Sequence, residues 1–383
     1  MKQLMKRHTC IWLLLIALVF AACNSDNEGE TGQQKTTLQM LSCQKGFTPV
    51  EETVTRSLPT GFTETSPSNG EYIMLFLATK TENYTTYKSG TFTYNQTEKK
   101  WHTTNKVEIE ATTNCRIYGY MPTTNSGSIA PLSGSIAPLN GSYENGAVMT
   151  FSSLPPITTS DPCVITGIKQ VDFDSPNATF VPKDADDVKE GCFDYTIRAS
   201  LQGNFLYVLL DHLYASLDFK FKVNEEYAKL RTIKLKKVEL KCTQAATVSA
   251  TVTLRANNEG ASPIENTEWT HSGSGTDYVE IFTSTTDTGE ELNTDYPVTS
   301  VASAQFAPIY SEGQSMTLRC TYNVYTADGS KTPISINRVA ENRITQVVGM
   351  TRGQKRTITV TVNPTYLYVL ADPDLDNPTI SID

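Results

Sequence analysis

The sequence predicts an all-β chain of sandwiches, and three observations carry that prediction. Apolar residues recur at every second position, turn-forming Thr, Ser, Asn, Gly and Pro interrupt these runs about every eight to twelve residues, and long amphipathic helices are absent. Without helices of crossover length between strands, a parallel α/β architecture is excluded.

In chain order, the first half carries strand-like segments at YIMLFLATK (72 to 80), TFTY (91 to 94), VEIEA (107 to 111), RIYGYMP (116 to 122), VMTF (148 to 151) and CFDYTIRAS (192 to 200). The second half alternates more strictly. Leu217, Phe219, Phe221 and Val223 take turns with Asp218, Lys220 and Lys222, so one face is buried and the other wet. Val248, Ala250, Val252 and Leu254 repeat the pattern, as do Met316, Leu318, Cys320, Tyr322 and Val324, and then Ile358, Val360 and Val362. In RTIKLKKVELKC the apolar phase changes between Leu235 and Val238, and a β-bulge near Lys236 and Lys237 restores a single face. One helical turn is expected over NEEYAKL, with Asn224 as N-cap and acidic residues in the first turn. Two stretches read as surface loops: 126 to 139, where SGSIAPL occurs twice in succession, and 255 to 277. A domain boundary is expected near residue 210, where a loose segment gives way to the alternating strand. The expected division is 1–22 signal, 23–36 acidic tether, 37–209 first sandwich and 210–383 second sandwich.

The N-terminus is distinct. Lys2, Lys6 and Arg7 precede IWLLLIALVFAAC (11 to 23), an apolar run too short to span a bilayer, ending in small residues before Cys23. This pattern reads as a bacterial lipoprotein signal, with Cys23 as the acylated first residue and the lipid as the anchor. Loss of the three basic residues takes the formal charge from −9 to −12 (−9 minus 3), which argues against nucleic acid as a partner. Beyond Cys10 and Cys23, six of the eight cysteines remain: Cys43, Cys115, Cys163, Cys192, Cys242 and Cys320. Cys242 and Cys320 fall on apolar faces and read as small core residues, with a disulfide between them as the other reading.

Catalytic and metal chemistry find little support. The sequence has no G-x-S-x-G elbow, H-E-x-x-H, P-loop or G-x-G-x-x-G after a strand, so neither an enzyme nor a cofactor is expected. His212 has Asp211 beside it, but neighbours in a strand point to opposite faces. No CxxC occurs and none of the four histidines is spaced to share a site with a cysteine, so no metal site is expected. Acidic groups at Asp184, Asp186 and Asp187, and at Asp372, Asp374 and Asp376, match no calcium-binding loop and read as solvated charge. The 18 tyrosines are scattered over strands, as core and cross-strand residues would be.

Taken in order, the lipobox, TTLQMLSCQ (36 to 44), Thr55-Arg56, YIMLFLA (72 to 78), TFTY followed by Trp101, and RIYGYMP form a recognisable series. It continues with LLDHLYASLDFKF (209 to 221), IKLKKVEL (233 to 240) and GQKRTITVTVNP (353 to 364). This series resembles the fimbrillin family, the type V pilins and related lipoproteins of the Bacteroidota. The segment L-x-H-L-x-A, Leu210 to Ala215, is its most specific element; the six extra cysteines and the duplicated loop depart from it.

The resemblance implies two tandem transthyretin-like (Greek-key) sandwiches delivered to the outer membrane. The acidic run from Asn24 to Glu30 is similar to the signal that sends such lipoproteins to the cell surface. It also implies maturation, in which a trypsin-like protease cuts after Arg56, the first strand leaves, and a strand from a neighbouring subunit fills the slot. Leu38, Met40 and Ser42 would face inward in that first strand, or Gln39, Leu41 and Cys43 with the register moved by one. The terminal TISID (379 to 383) is a candidate for part of a donor segment. The expected partners are other fimbrial subunits, the outer membrane through Cys23, and a host or bacterial surface ligand. A second reading is a non-polymerising surface lipoprotein that binds glycans or host ligands.

Overall fold

A computed structural model of the chain describes residues 38–44, 47–50, 63–64, 72–97, 100–105, 113–121, 134–171, 189–197, 204–257, 262–294, 302–329, 332–364 and 373–382. All of them belong to the unit Thr36–Asp383. Cys23 and Arg56 lie outside the described residues, as do the acidic group at 184 to 187 and the strand expected at 107 to 111.

The fold is all-β, and the described strands assemble into four sheets. The largest runs in the order Cys163–Val171, Asn204–His212, Leu38–Gln44, Lys100–Asn105, Lys88–Asn95, Tyr72–Thr79, Asn114–Met121, Asp194–Thr196. It curls on itself, since Cys163 and Val164 also pair with Met121 and Tyr120. A second sheet holds Ile157–Thr158, Ala302–Phe306, Ala215–Val223 and Gln354–Pro364. The far edge of Gln354–Pro364 is shared, Thr48–Pro49 pairing parallel at one end and Pro373–Ile382 antiparallel along the rest. The third sheet is built on Arg231–Cys242, Met316–Thr326 and Pro333–Ile344. The fourth joins Ile264–Ser272, Thr247–Arg255, Gly146–Leu154 and Gly134–Pro138.

The alternating runs bury the faces their sequence assigns. Leu217, Phe219, Phe221 and Val223 are buried, as are Val248, Ala250, Val252 and Leu254, and each large side chain withdrawn from water contributes about 1.5–3 kcal/mol. In Arg231–Cys242 the pairing register slips between Leu235 and Lys237, so Ile233, Leu235, Val238, Leu240 and Cys242 all reach the core despite the change of phase. Glu225–Ala228 is a single helical turn, and the Asn224 side chain accepts hydrogen bonds from the backbone N–H of Glu226 and Tyr227 at 3.0 and 3.3 Å.

Three segments differ from expectation. The stretch before Ala215 is no loose segment: Leu206 to Leu210 are all buried, because Asn204–His212 is covered on both faces and so shows no alternation. The expected boundary between 209 and 210 falls inside that strand. The second SGSIAPL copy supplies the strand Gly134–Pro138, paired with Ala147 to Phe151, instead of a loop. Within 255 to 277, the strand Ile264–Ser272 pairs with Thr247–Arg255. Most of its residues are exposed and none is fully buried, so its sequence carries no apolar period.

None of Cys115, Cys163, Cys192, Cys242 and Cys320 forms a disulfide, and the alternative of a Cys242–Cys320 bridge is overturned. In the register, Cys242 sits opposite Met316, while Cys320 sits opposite Val238. Cys320 is thus four residues along the ladder from the position opposite Cys242, about 13 Å at the strand rise, too far for the short Cβ separation a disulfide needs.

Candidate functional site: the first strand and its slot

The first strand, Leu38–Gln44, is inserted between two others. On one side it runs parallel to Asn204–His212 through an unbroken register from Leu38 opposite Asn204 to Gln44 opposite Leu210. On the other side Met40 pairs with Trp101, and Cys43 and Gln44 pair with Glu64 and Thr63. Met40 is buried at 2% exposure among core residues that include Trp101, whose ring meets Tyr94 edge-on at 5.2 Å. Of the expected inward residues, Leu38 and Ser42 are described in their backbone only, with partners Asn204 and Val208.

The chain then leaves the large sheet and crosses to the second one. Phe47 stacks on the His212 ring with centroids 3.6 Å apart and planes 13° from parallel. Next, the Thr48 and Val50 N–H groups donate to the Gly353 and Lys355 carbonyls at 2.8 and 3.0 Å. The N-terminal segment is therefore held at three successive points in two sheets.

The His212 region is built by strand pairing. Cys163 lies directly opposite His212, and Asp161, two residues earlier, reaches the same imidazole, with Oδ2 2.7 Å from Nδ1. Asp211 points elsewhere, as strand geometry demands, and forms an ion pair with Arg352 at 3.1 Å. The same guanidinium donates to the His212 carbonyl at 3.1 Å. The expectation that no histidine shares a site with a cysteine is thus corrected by the register: residues far apart in sequence meet across one ladder. Spacing along the chain gave no sign of it, since Asp161 precedes the strand that begins at Cys163.

The last strand, Pro373–Ile382, pairs with Gln354–Pro364, with Thr379, Ile380, Ser381 and Ile382 opposite Thr361, Val360, Thr359 and Ile358. Most of TISID is thus paired within its own chain, at a sheet edge with one hydrogen-bonded neighbour. Asp374 and Asp376 lie in this strand, Asp374 opposite Asn363. The aromatic residues belong chiefly to the core, Tyr118, Tyr195, Tyr207 and Tyr214 being fully buried. No helix among the described residues is long and apolar enough to cross a membrane.

No family model matches the chain, and no curated protein matches it. Solved structures similar to it include proteins from Bacteroides and Parabacteroides. A candidate cell adhesion protein from Bacteroides fragilis aligns with a TM-score of 0.42 at 10% identity, covering 91% of this chain and 97% of its own. For a fimbrial protein from Bacteroides vulgatus the TM-score is 0.39 at 11% identity, with coverage of 91% and 98%. A second candidate cell adhesion protein, from Bacteroides uniformis, gives 0.40 at 10% identity with coverage of 93% and 98%. The chain is similar to Bacteroides fimbrial and cell adhesion structures over about nine-tenths of its length.

Proposed function

We propose that this protein is a cell-surface fimbrial subunit or minor fimbrial component, lipid-anchored through Cys23, that assembles by protease-triggered β-strand addition. One observation carries the reading: Leu38–Gln44 occupies an interior position in its sheet yet belongs to the N-terminal segment. A cut after Arg56 leaves that strand attached by non-covalent contacts alone. Its departure exposes the edge of Asn204–His212 and the apolar site filled by Met40, and a strand from another subunit satisfies both. The anchoring lipid leaves with the released segment, so Cys23 acts as a delivery device in a stalk subunit and as permanent attachment in an uncut one. The protein binds and assembles, and no catalytic step is assigned to it.

Trypsin treatment of the chain lacking residues 1–22 tests this. The expected result is a preferred cut after Arg56 followed by oligomers, with both lost in Arg56→Ala. A protein trimmed at Arg56 that stays monomeric at high concentration sinks the assembly step, and leaves the non-polymerising surface binder as the reading.

A further inference from the structure

We propose that Asp161, Cys163 and His212 form a binding site for one zinc ion. One ligand atom from each of the three lies within 4.8 Å of the others. Tetrahedral zinc, with bonds of 2.0–2.3 Å to N, O and S, needs donor atoms about 3.3–3.8 Å apart. His212 Nδ1 and Asp161 Oδ2, now 2.7 Å apart around a shared hydrogen, need to part by only about 0.6 Å to admit the metal in its place.

The framework around these groups is fixed before any ion arrives. Cys163 and His212 are paired residues on adjacent strands, and the Leu213 N–H donates to the Pro162 carbonyl at 2.8 Å, tying the two chain segments together beside the site. Arg352 holds the His212 backbone from behind. Cys163 and His212 are 1% and 3% exposed, Asp161 is partly open to water, and Phe47 covers the imidazole face.

The donor set selects the ion. A thiolate, an imidazole nitrogen and a carboxylate favour zinc over calcium or magnesium, which take oxygen ligands. One thiolate and one carboxylate neutralise Zn²⁺, so the loaded site adds no net charge to a largely buried place. On binding, Cys163 loses its thiol proton to solvent and its sulfur lone pair forms the metal bond; the hydrogen between Nδ1 and Oδ2 also leaves to solvent, and the imidazole, neutral with its one N–H on Nε2, offers the Nδ1 lone pair to the metal. Water completes the fourth position through the Asp161 side. This inference is independent of strand release.

The test uses the reduced, metal-free chain lacking residues 1–22, titrated with Co²⁺ as a spectroscopic stand-in and then with Zn²⁺. The expected result is one equivalent bound, with a thiolate-to-cobalt charge-transfer band, intense visible bands of tetrahedral cobalt, and displacement by zinc. Cys163→Ser should abolish the charge-transfer band, and Asp161→Asn should weaken zinc binding at least tenfold. Cys192→Ser should leave both unchanged. Zinc should also raise the melting temperature of the parent chain but not of Cys163→Ser, a readout available even if a His212→Gln variant fails to fold. Absence of the band in the parent chain, or its persistence in Cys163→Ser, overturns the proposal.

Discussion

Phe47 lies flat on the imidazole of His212, 3.6 Å from centroid to centroid, and so joins the segment that follows the first strand to the last residue of Asn204–His212, just before the chain enters the second sheet. The contact is flanked by pairing on both sides, Gln44 opposite Leu210 before it and Thr48 opposite Gln354 after it. Phe47→Ala is expected to cost about 1–2 kcal/mol, from the stacking and the partial burial of one aromatic ring. Urea unfolding measures the loss. An unchanged midpoint means the ring contributes nothing to holding the segment.

Met40 fills the slot from the inside. Its replacement by Ala should destabilise the chain by about 2–4 kcal/mol, the range for truncating a buried aliphatic side chain. Met40→Asp should cost more, because a carboxylate would be buried without a partner. Both variants should release the first strand more readily after trypsin treatment. A synthetic peptide of residues 36–50 should compete for the vacated slot and suppress oligomers; oligomers forming equally with and without it would show that the slot is not where subunits join.

The third sheet contains an ion network whose pH response has a definite sign. Arg319 Nε and Lys237 Nζ lie 2.8 and 2.7 Å from the two oxygens of Glu239, a residue only 5% exposed. The hydrogen bond from Arg319, joined by that from Lys237, holds the carboxyl below its ordinary 4.5, in opposition to burial. A carboxylate whose folded pKa is depressed stabilises the fold above its unfolded pKa and loses that contribution as pH falls through the folded value. Glu239→Gln should therefore cost about 1–3 kcal/mol at neutral pH. In unfolding curves against pH, the gap between parent and variant should close below 4.5. A gap that persists in acid would assign the loss to packing.

Burial pushes the thiols of Cys115 and Cys320 up to about 12. Since the thiolate is the reactive form, neither should be alkylated at neutral to mildly alkaline pH in the folded protein. Mass spectrometry after brief iodoacetamide treatment should find both unmodified, and modified once urea unfolds the chain. Rapid native labelling of either would mean that its strand opens.

The sequence made strands legible where one face met water. Ala215–Val223 and Thr247–Arg255 announce themselves because their polar and apolar residues fall on different sides, and even the slip at Lys236 leaves a trace as a change of phase. Asn204–His212 gave no such trace, being apolar on both faces, and Ile264–Ser272 none, having little to bury on either. The slot was visible only as a short apolar segment near the N-terminus. Its position between Asn204–His212 and Lys100–Asn105 depends on pairings between distant parts of the chain. The Asp161–Cys163–His212 cluster was hidden for the same reason, since Asp161 and His212 are 51 residues apart and meet only through a ladder register.

The parallel alignment of Leu38–Gln44 with Asn204–His212 also fixes a direction. Hydrogen bonds in a parallel ladder slant and do not match those of an antiparallel one, so a replacement that keeps this bonding pattern has to enter with the same N-to-C sense. Under the assembly proposed above, that rule would give a fibre two unlike ends, one presenting an open groove and the other a spare strand. Growth would then be vectorial, and a single subunit unable to offer a strand at the spare-strand end would be enough to terminate it.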